Sequence, residues 1–402
     1  MSRAPATRFR IFLIEFALAL GGFAIGTGEF AMMGLMPNIS RDLGVSEPQI
    51  GHLISAYALG VVVGAPILAI IGARFFRRQL LIWLMVFYAI GNLASALAVD
   101  YTGVVIARFF AGLPHGAYFG IASLVAASLV PTHQRAKAVA RVMMGLTLAL
   151  LLGNPLAAWM GQSLDWRYVY AFVGLTATAT FLMVLWVLPP DPNETRQGSL
   201  SEIRAFNRTG IWFALAIGAI GFSGMFAVLS YLAPTLLEVT GVADYWIPVA
   251  LAVFGLGGFI GNLLGGWLFD RLGFRAVGVI LLLSAGILLA FPSTTGSLPA
   301  LMAACFLVAM MGSLGPALQT HLMDVAHGAQ NLAAASHHAA FNVANALGPW
   351  LAGISITAGF GWSSTGYVGA ATAAIGLLIF FAAWRHDEKG LRNAEAYQAS
   401  FS

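Results

Sequence analysis

The 402 residues are 59% hydrophobic and only 9% charged. Soluble domains are roughly 25% charged, so an ordinary soluble globule is excluded. The formal net charge of +4 comes with no basic–aromatic patch, which argues against a nucleic-acid partner, and the single Cys305 rules out an intramolecular disulfide and reads as a small packed residue.

In chain order, Arg3, Arg8 and Arg10 precede an apolar run at 11–36. That run is too long for a secretory leader, and more runs follow, so it reads as a retained first helix. Eleven others follow at about 50–72, 79–99, 102–129, 136–161, 168–188, 210–237, 246–269, 276–292, 298–322, 332–357 and 363–384. A spanning helix needs about 20 apolar residues. A transmembrane β-barrel requires strands of alternating polarity about ten residues long, and these runs are longer and continuously apolar. Their many glycines suit close helix packing in lipid. The fold class is therefore an all-α membrane protein with twelve transmembrane helices.

Two loops repeat. Leu59, Gly60, Gly64, Arg74 and Arg78 fall on Leu256, Gly257, Gly261, Arg271 and Arg275. Each counterpart is 197 residues further on, and such internal duplication is how many secondary transporters are built. The second copy keeps Gly266, Asp270 and Gly273, whereas Ala73 and Phe76 stand in the first where Asp270 and Gly273 do in the second. Pro189, Pro190 and Pro192 end the sixth run, and Leu200, Ile203 and Phe206 form an apolar stripe suited to a short surface helix. The division expected is 1–188, a linker 189–208 and 209–402. Of the 20 Lys and Arg, 17 flank the runs on one side, with Arg41 and Arg167 on the other and Arg108 inside a run. The positive-inside rule then puts both termini in the cytoplasm.

The informative residues are those that are costly in lipid. A charged side chain at mid-membrane costs about 2.5–3.5 kcal/mol on insertion scales. Glu29 lies in Gly26-Thr27-Gly28-Glu29-Phe30. It reads as a carboxylate that alternates between protonated and charged states, or as a structural carboxyl bonded to a neighbouring helix. Glu15, about one turn from the basic N-terminus, reads as a residue that snorkels to the surface. Arg108 and His115 on span 4 are nearly two turns apart on one face, and Pro114 between them should disturb the helix. Arg108 needs a partner, and Glu29 is the only carboxylate deep in a span. His115 reads as a packing residue or as a substrate or proton ligand. On span 11, His338, Asn342 and Asn345 share a face at i, i+4 and i+7. They offer donors and acceptors to a polar ligand, or hydrogen bonds between helices. Gln319 and Asn154 carry the same two readings. Phe222, Phe226 and Tyr231, with Tyr57, are candidates to wall a cavity or simply to pack. No phosphate-binding Gly-x-x-x-x-Gly-Lys-Ser/Thr, catalytic constellation or metal spacing occurs in the sequence. The expectation is thus a non-enzyme with no cofactor and no metal.

Together these segments resemble the major facilitator superfamily over essentially the whole chain. Gly266–Arg275 is similar to that family's loop motif between helices 8 and 9. Arg108, Gly112 and Gly116 resemble its helix-4 motif, whose arginine the resemblance implicates in proton coupling. Gly145, Gly153-Asn154-Pro155 and Gly161 resemble the helix-5 motif of antiporters, with Asn154 inserted into its Gly-Pro pair. Tyr57–Ile67, Leu113–Ala117, Trp166–Tyr168 and Ala340–Asn342 are similar to the drug:proton antiporter branch with twelve spans, closest to bacterial AraJ-type arabinose efflux permeases. The resemblance implies two six-helix bundles, alternating access and a central site. It implies proton-coupled export of a sugar, nucleoside or drug-like molecule by a monomer in a bacterial inner membrane. Glu29, Arg108 and His115 would couple protons. His115, Tyr57, Asn154, Phe222, Phe226, Gln319, His338, Asn342 and Asn345 would bind substrate. Arg74, Arg78, Gly266, Asp270, Arg271, Gly273 and Arg275 would form the gating loops, with Asp270 the stronger latch. A passive facilitator, a proton symporter and a sensor of the same fold are the alternatives.

Overall fold

The computed structural model describes residues 8–72, 75–131, 134–190, 208–326 and 330–399. Among them, twelve helices are long and apolar enough to cross a membrane. They are α1 (Arg8–Leu43), α2 (Glu47–Leu68), α3 (Arg77–Leu97), α4 (Tyr101–Ser128), α5 (Lys137–Ser163) and α6 (Trp166–Val187), then α7 (Thr209–Ser230), α8 (Trp246–Leu272), α9 (Arg275–Thr294), α10 (Leu298–Val325), α11 (Ser336–Phe360) and α12 (Ser364–His386). Lipid cannot satisfy backbone N–H and C=O groups, so apolar runs of this length close their hydrogen bonds internally as helices. Pro114 acts as its chemistry dictates: the helix breaks after Gly112 and restarts at His115. Arg74 and the stripe Leu200, Ile203 and Phe206 lie outside the described residues.

The sequence repeat is a structural repeat. A Cβ on Gly60 or Gly64 would strike the carbonyl oxygens of Phe109 and Leu113, and one on Gly257 or Gly261 those of Phe306 and Met310. Every second-half partner is again 197 residues beyond its first-half counterpart. The same glycines therefore press α2 on α4 and α8 on α10. The spacing extends outward to Gly44 and Gly241, both at positive φ (64° and 69°), and to Pro37 and Pro234. Substituting leucine at Gly64 or Gly261 should cost about 1–3 kcal/mol through overpacking, read as a lower melting temperature in detergent. Gly266→Ala is the control, because its Cβ meets nothing within 4 Å.

The loop copies sit alike. Arg78 donates to the carbonyls of Leu188 (2.5 Å) and Leu185 (2.7 Å) at the end of α6. Its counterpart Arg275 lies over the Trp384 ring at the end of α12, 5.1 Å away. Arg271 covers Trp267, 4.3 Å away, and Gly273 closes α8 at φ 56° and ψ −142°, a backbone that favours glycine. Asp270 is exposed and makes no ion pair among the described residues. Glu15 departs from the snorkelling expectation. It is buried and held by Arg141 of α5 through bonds of 2.6 and 2.7 Å. A nearby guanidinium fork on a neighbouring helix supplies what the surface was expected to supply.

Among the described residues, contacts between the first six helices and the last six include several toward the end carrying residues 44–46. Ser55 donates to Ala346 O (2.9 Å) and Gln162 to Asp244 O (2.8 Å). A Cβ on Gly255 would meet the Leu150 carbonyl of α5 at 2.6 Å.

Candidate proton and substrate site

Four sequence features converge where the halves meet. Glu29 on α1 is 2% exposed. It sits between Gly28, whose missing side chain leaves room for Tyr88 and Asn92, and a helix stretch buried on all sides. One carboxylate oxygen accepts from Asn345 Nδ2 of α11 at 2.8 Å. The other lies 3.9 Å from His115 Nδ1. The same nitrogen is 3.0 Å from the Tyr57 hydroxyl, so Tyr57, Glu29 and His115 share one node.

Arg108 is fully buried, and its guanidinium lies over the rings of Tyr57 (4.2 Å) and Tyr170 (5.1 Å). Its expected direct pairing with Glu29 is not what the structure shows. No ion pair within 4.0 Å joins the two, and none of the three guanidinium nitrogens has a hydrogen-bond partner among the described residues. Two aromatic faces take the place of a carboxylate, each desolvated cation–π contact being worth about 2 kcal/mol. Ionised Glu29 and Arg108 together are neutral. Protonating Glu29 leaves an uncompensated cation, so uptake of one proton changes the net charge of a buried site, at an energy far larger than in water.

The span 11 face points where its spacing predicts. Asn345 reaches Glu29. Asn342 donates to His338 O (3.0 Å), and its Oδ1 is buried without a donor. The His338 ring stacks on Phe119 (5.6 Å), which contacts His115 (5.2 Å). Asn154 is buried at the restart of α5 after a π-helical turn, Ala149–Gly153, and its Oδ1 is also unpartnered. Thr27 Oγ1, buried and unpartnered, abuts Gly153. Phe222 and Phe226 join Phe341 and Phe30, with centroids 4.5, 5.1 and 6.2 Å apart in turn. A small apolar cleft beside them is lined by Phe222, Phe341, Leu314, Leu318 and His337.

Two residues fall elsewhere. Tyr231 donates to Pro349 O (3.0 Å) toward the 44–46 end. Gln319 is half-buried on α10, and no hydrogen bond or ring contact among the described residues joins it to the cluster. Sequence reasoning missed Tyr88, Asn92, Tyr170 and Thr27. Tyr88 and Asn92 were findable, as a polar i, i+4 pair in an apolar run. Tyr170 was not, because its role lies in a ring face opposite Arg108. No cluster of three or more metal-ligating side chains occurs among the described residues.

The repeat shows that this chemistry is one-sided. Positions 197 residues beyond Glu29, Tyr57 and Arg108 hold Phe226, Phe254 and Cys305. All three are buried. At these positions the first half carries Glu29 and Arg108, and the second carries no charge.

Comparison with known proteins agrees with this architecture. The family model described as Major Facilitator Superfamily matches residues 18–331 and 247–401. The inner membrane transport protein YdhP of Escherichia coli K12 is 38% identical over 366 residues, covering 91% of this chain and 94% of that protein. The putative transporter AraJ of the same organism is 33% identical, covering 86% and 89%. A chloramphenicol resistance protein of Streptomyces lividans is 30% identical, covering 91% and 95%. In fold, the chain matches a bacterial homologue of the human lysosomal transporter Spinster, solved inward-facing and unoccupied, with TM-score 0.77 at 17% identity over 94% and 98% of the two chains. Twelve spans in a duplicated pattern, with costly polar residues gathered where the halves meet, thus find their place among known proteins: the chain belongs to the Major Facilitator Superfamily of membrane transporters.

Proposed function

We propose that this transporter is a proton-coupled antiporter that exports small drug-like, sugar or nucleoside molecules by alternating access. The bundles 1–188 and 209–402 rock about the central site, joined by 189–208. The observation that carries this reading is Glu29, buried at the meeting of the halves and bonded to the opposite half. A buried carboxylate whose protonation changes the net charge of the site gives substrate and proton a shared element for which they compete. Relatives named for inner-membrane transport and for chloramphenicol resistance support export from a bacterial cell through the inner membrane. The lysine and arginine distribution supports cytoplasmic termini.

The structure fits an inward-facing arrangement. Among the described residues, several contacts between halves lie toward the 44–46 end, while at the other end Asp270 is exposed and Gly266 faces open space. The gating loops, including Asp270, would engage when that end closes. His115, Tyr57, Asn154, His338, Asn342 and Asn345 supply polar contacts to substrate, Phe222 and Phe226 an apolar wall, and Gln319 a contact reached on rocking. The direct test is a panel of chloramphenicol, arabinose and a nucleoside, read as proton flux from vesicles containing the pure protein. At least one compound should elicit proton movement opposite to its own. Substrate passage with no proton movement would leave a passive facilitator, and movement in the same direction a symporter.

A further inference from the structure

We propose that Asn345 is the residue through which the second half reads the charge on Glu29. The inference rests on the antiport reading above. Asn345 is fully buried on α11 and gives its Nδ2 to Glu29 across 316 residues of chain. Its Oδ1 is buried with no donor. The amide therefore spends its donor side on the carboxylate and its acceptor side on nothing, so its burial is compensated chiefly by the charge opposite. A hydrogen bond to an ionised carboxylate is roughly twice as strong as one between neutral groups. Proton uptake by Glu29 therefore weakens a tie between halves at the point where they meet.

The first half already surrounds Glu29. Tyr57 comes from α2, Tyr88 from α3, and Arg108 and His115 from α4. Tyr170 of α6 covers Arg108. From the second half, α7 presents Phe226, at the position that repeats Glu29, against Phe30. Its repeat positions for Tyr57 and Arg108 are Phe254 and Cys305. His338 of α11 stacks on Phe119 and Asn342 donates to His338 O, whereas Asn345 bonds Glu29 directly. Asn345 is a positioning residue, and its function is coupling.

The test needs no substrate. Spin labels at Phe75→Cys and Leu272→Cys, both exposed at the end away from residues 44–46, report the distance between halves in a Cys305→Ser background. The wild-type distance distribution should shift as pH falls, toward that of Glu29→Gln. In Asn345→Leu the high-pH distribution should already match the wild-type low-pH one, with the pH-dependent change reduced at least threefold. Asn345→Ala is read in its place if the leucine variant is not monodisperse. A full wild-type pH response in both variants overturns the inference. So does a wild-type distribution that ignores pH while vesicles of the same protein show proton-driven flux. Absence of proton-driven flux in those vesicles overturns the antiport reading itself, so the two failures are distinguishable.

Discussion

Vesicles carrying Glu29→Gln should lose concentrative transport while still exchanging substrate across the membrane. Glutamine keeps the size of the side chain and can still accept from Asn345 Nδ2, so the packing around a residue 2% exposed survives. It cannot carry a proton. One proton moving down 100 mV supplies about 2.3 kcal/mol, nearly fifty-fold in concentration at 1.4 kcal/mol per tenfold. The wild type should approach that ratio for a one-to-one exchange, and the variant should stay near unity. The measurement is accumulated substrate at a clamped potential, beside counterflow of labelled against unlabelled substrate at equal pH. A variant that still concentrates substrate places the proton on another group, and His115, 3.9 Å away, is then the first to replace.

Arg108→Lys should be nearly as damaging despite keeping the charge. The guanidinium is a plane with Tyr57 on one ring contact and Tyr170 on another. A lysine ammonium is a compact, strongly hydrated point charge that cannot stack in this way. Loss of one desolvated cation–π contact, about 2 kcal/mol, corresponds to more than tenfold in an equilibrium. Gradient-driven flux should fall at least tenfold. Tyr170→Leu should reproduce part of that loss, since it removes one ring and leaves the arginine. Equal flux in Arg108→Lys would show that only the positive charge matters, and the two rings would then be packing.

What was legible in the chain follows from which costs are local. Apolar length alone gives the spans, because backbone satisfaction in lipid is a property of each segment. Gly60, Gly64, Gly257 and Gly261 gave the duplication, because close backbone approach demands the same residue in both copies. Glu29 and Arg108 stood out because a charge in lipid is costly wherever it points. Their partners were not legible. Proximity along the chain suggested that Glu15 would reach the surface, but Arg141 on another helix holds it. Elimination of other carboxylates suggested a Glu29–Arg108 pair, but aromatic faces and an amide 316 positions away divide that role. Periodicity put Asn345 on the right face of α11 without saying what it would meet, because contact between helices is decided by packing that no single segment encodes.

The central claim is that a proton and a substrate move oppositely through one buried carboxylate. The most direct test imposes one pH unit, with no substrate gradient, on vesicles of the wild-type protein. One unit is 1.36 kcal/mol per proton, so a one-to-one antiporter should drive substrate to about a tenfold gradient opposite to the proton, and a protonophore should collapse it. Substrate that only equilibrates, with or without the protonophore, would contradict the account.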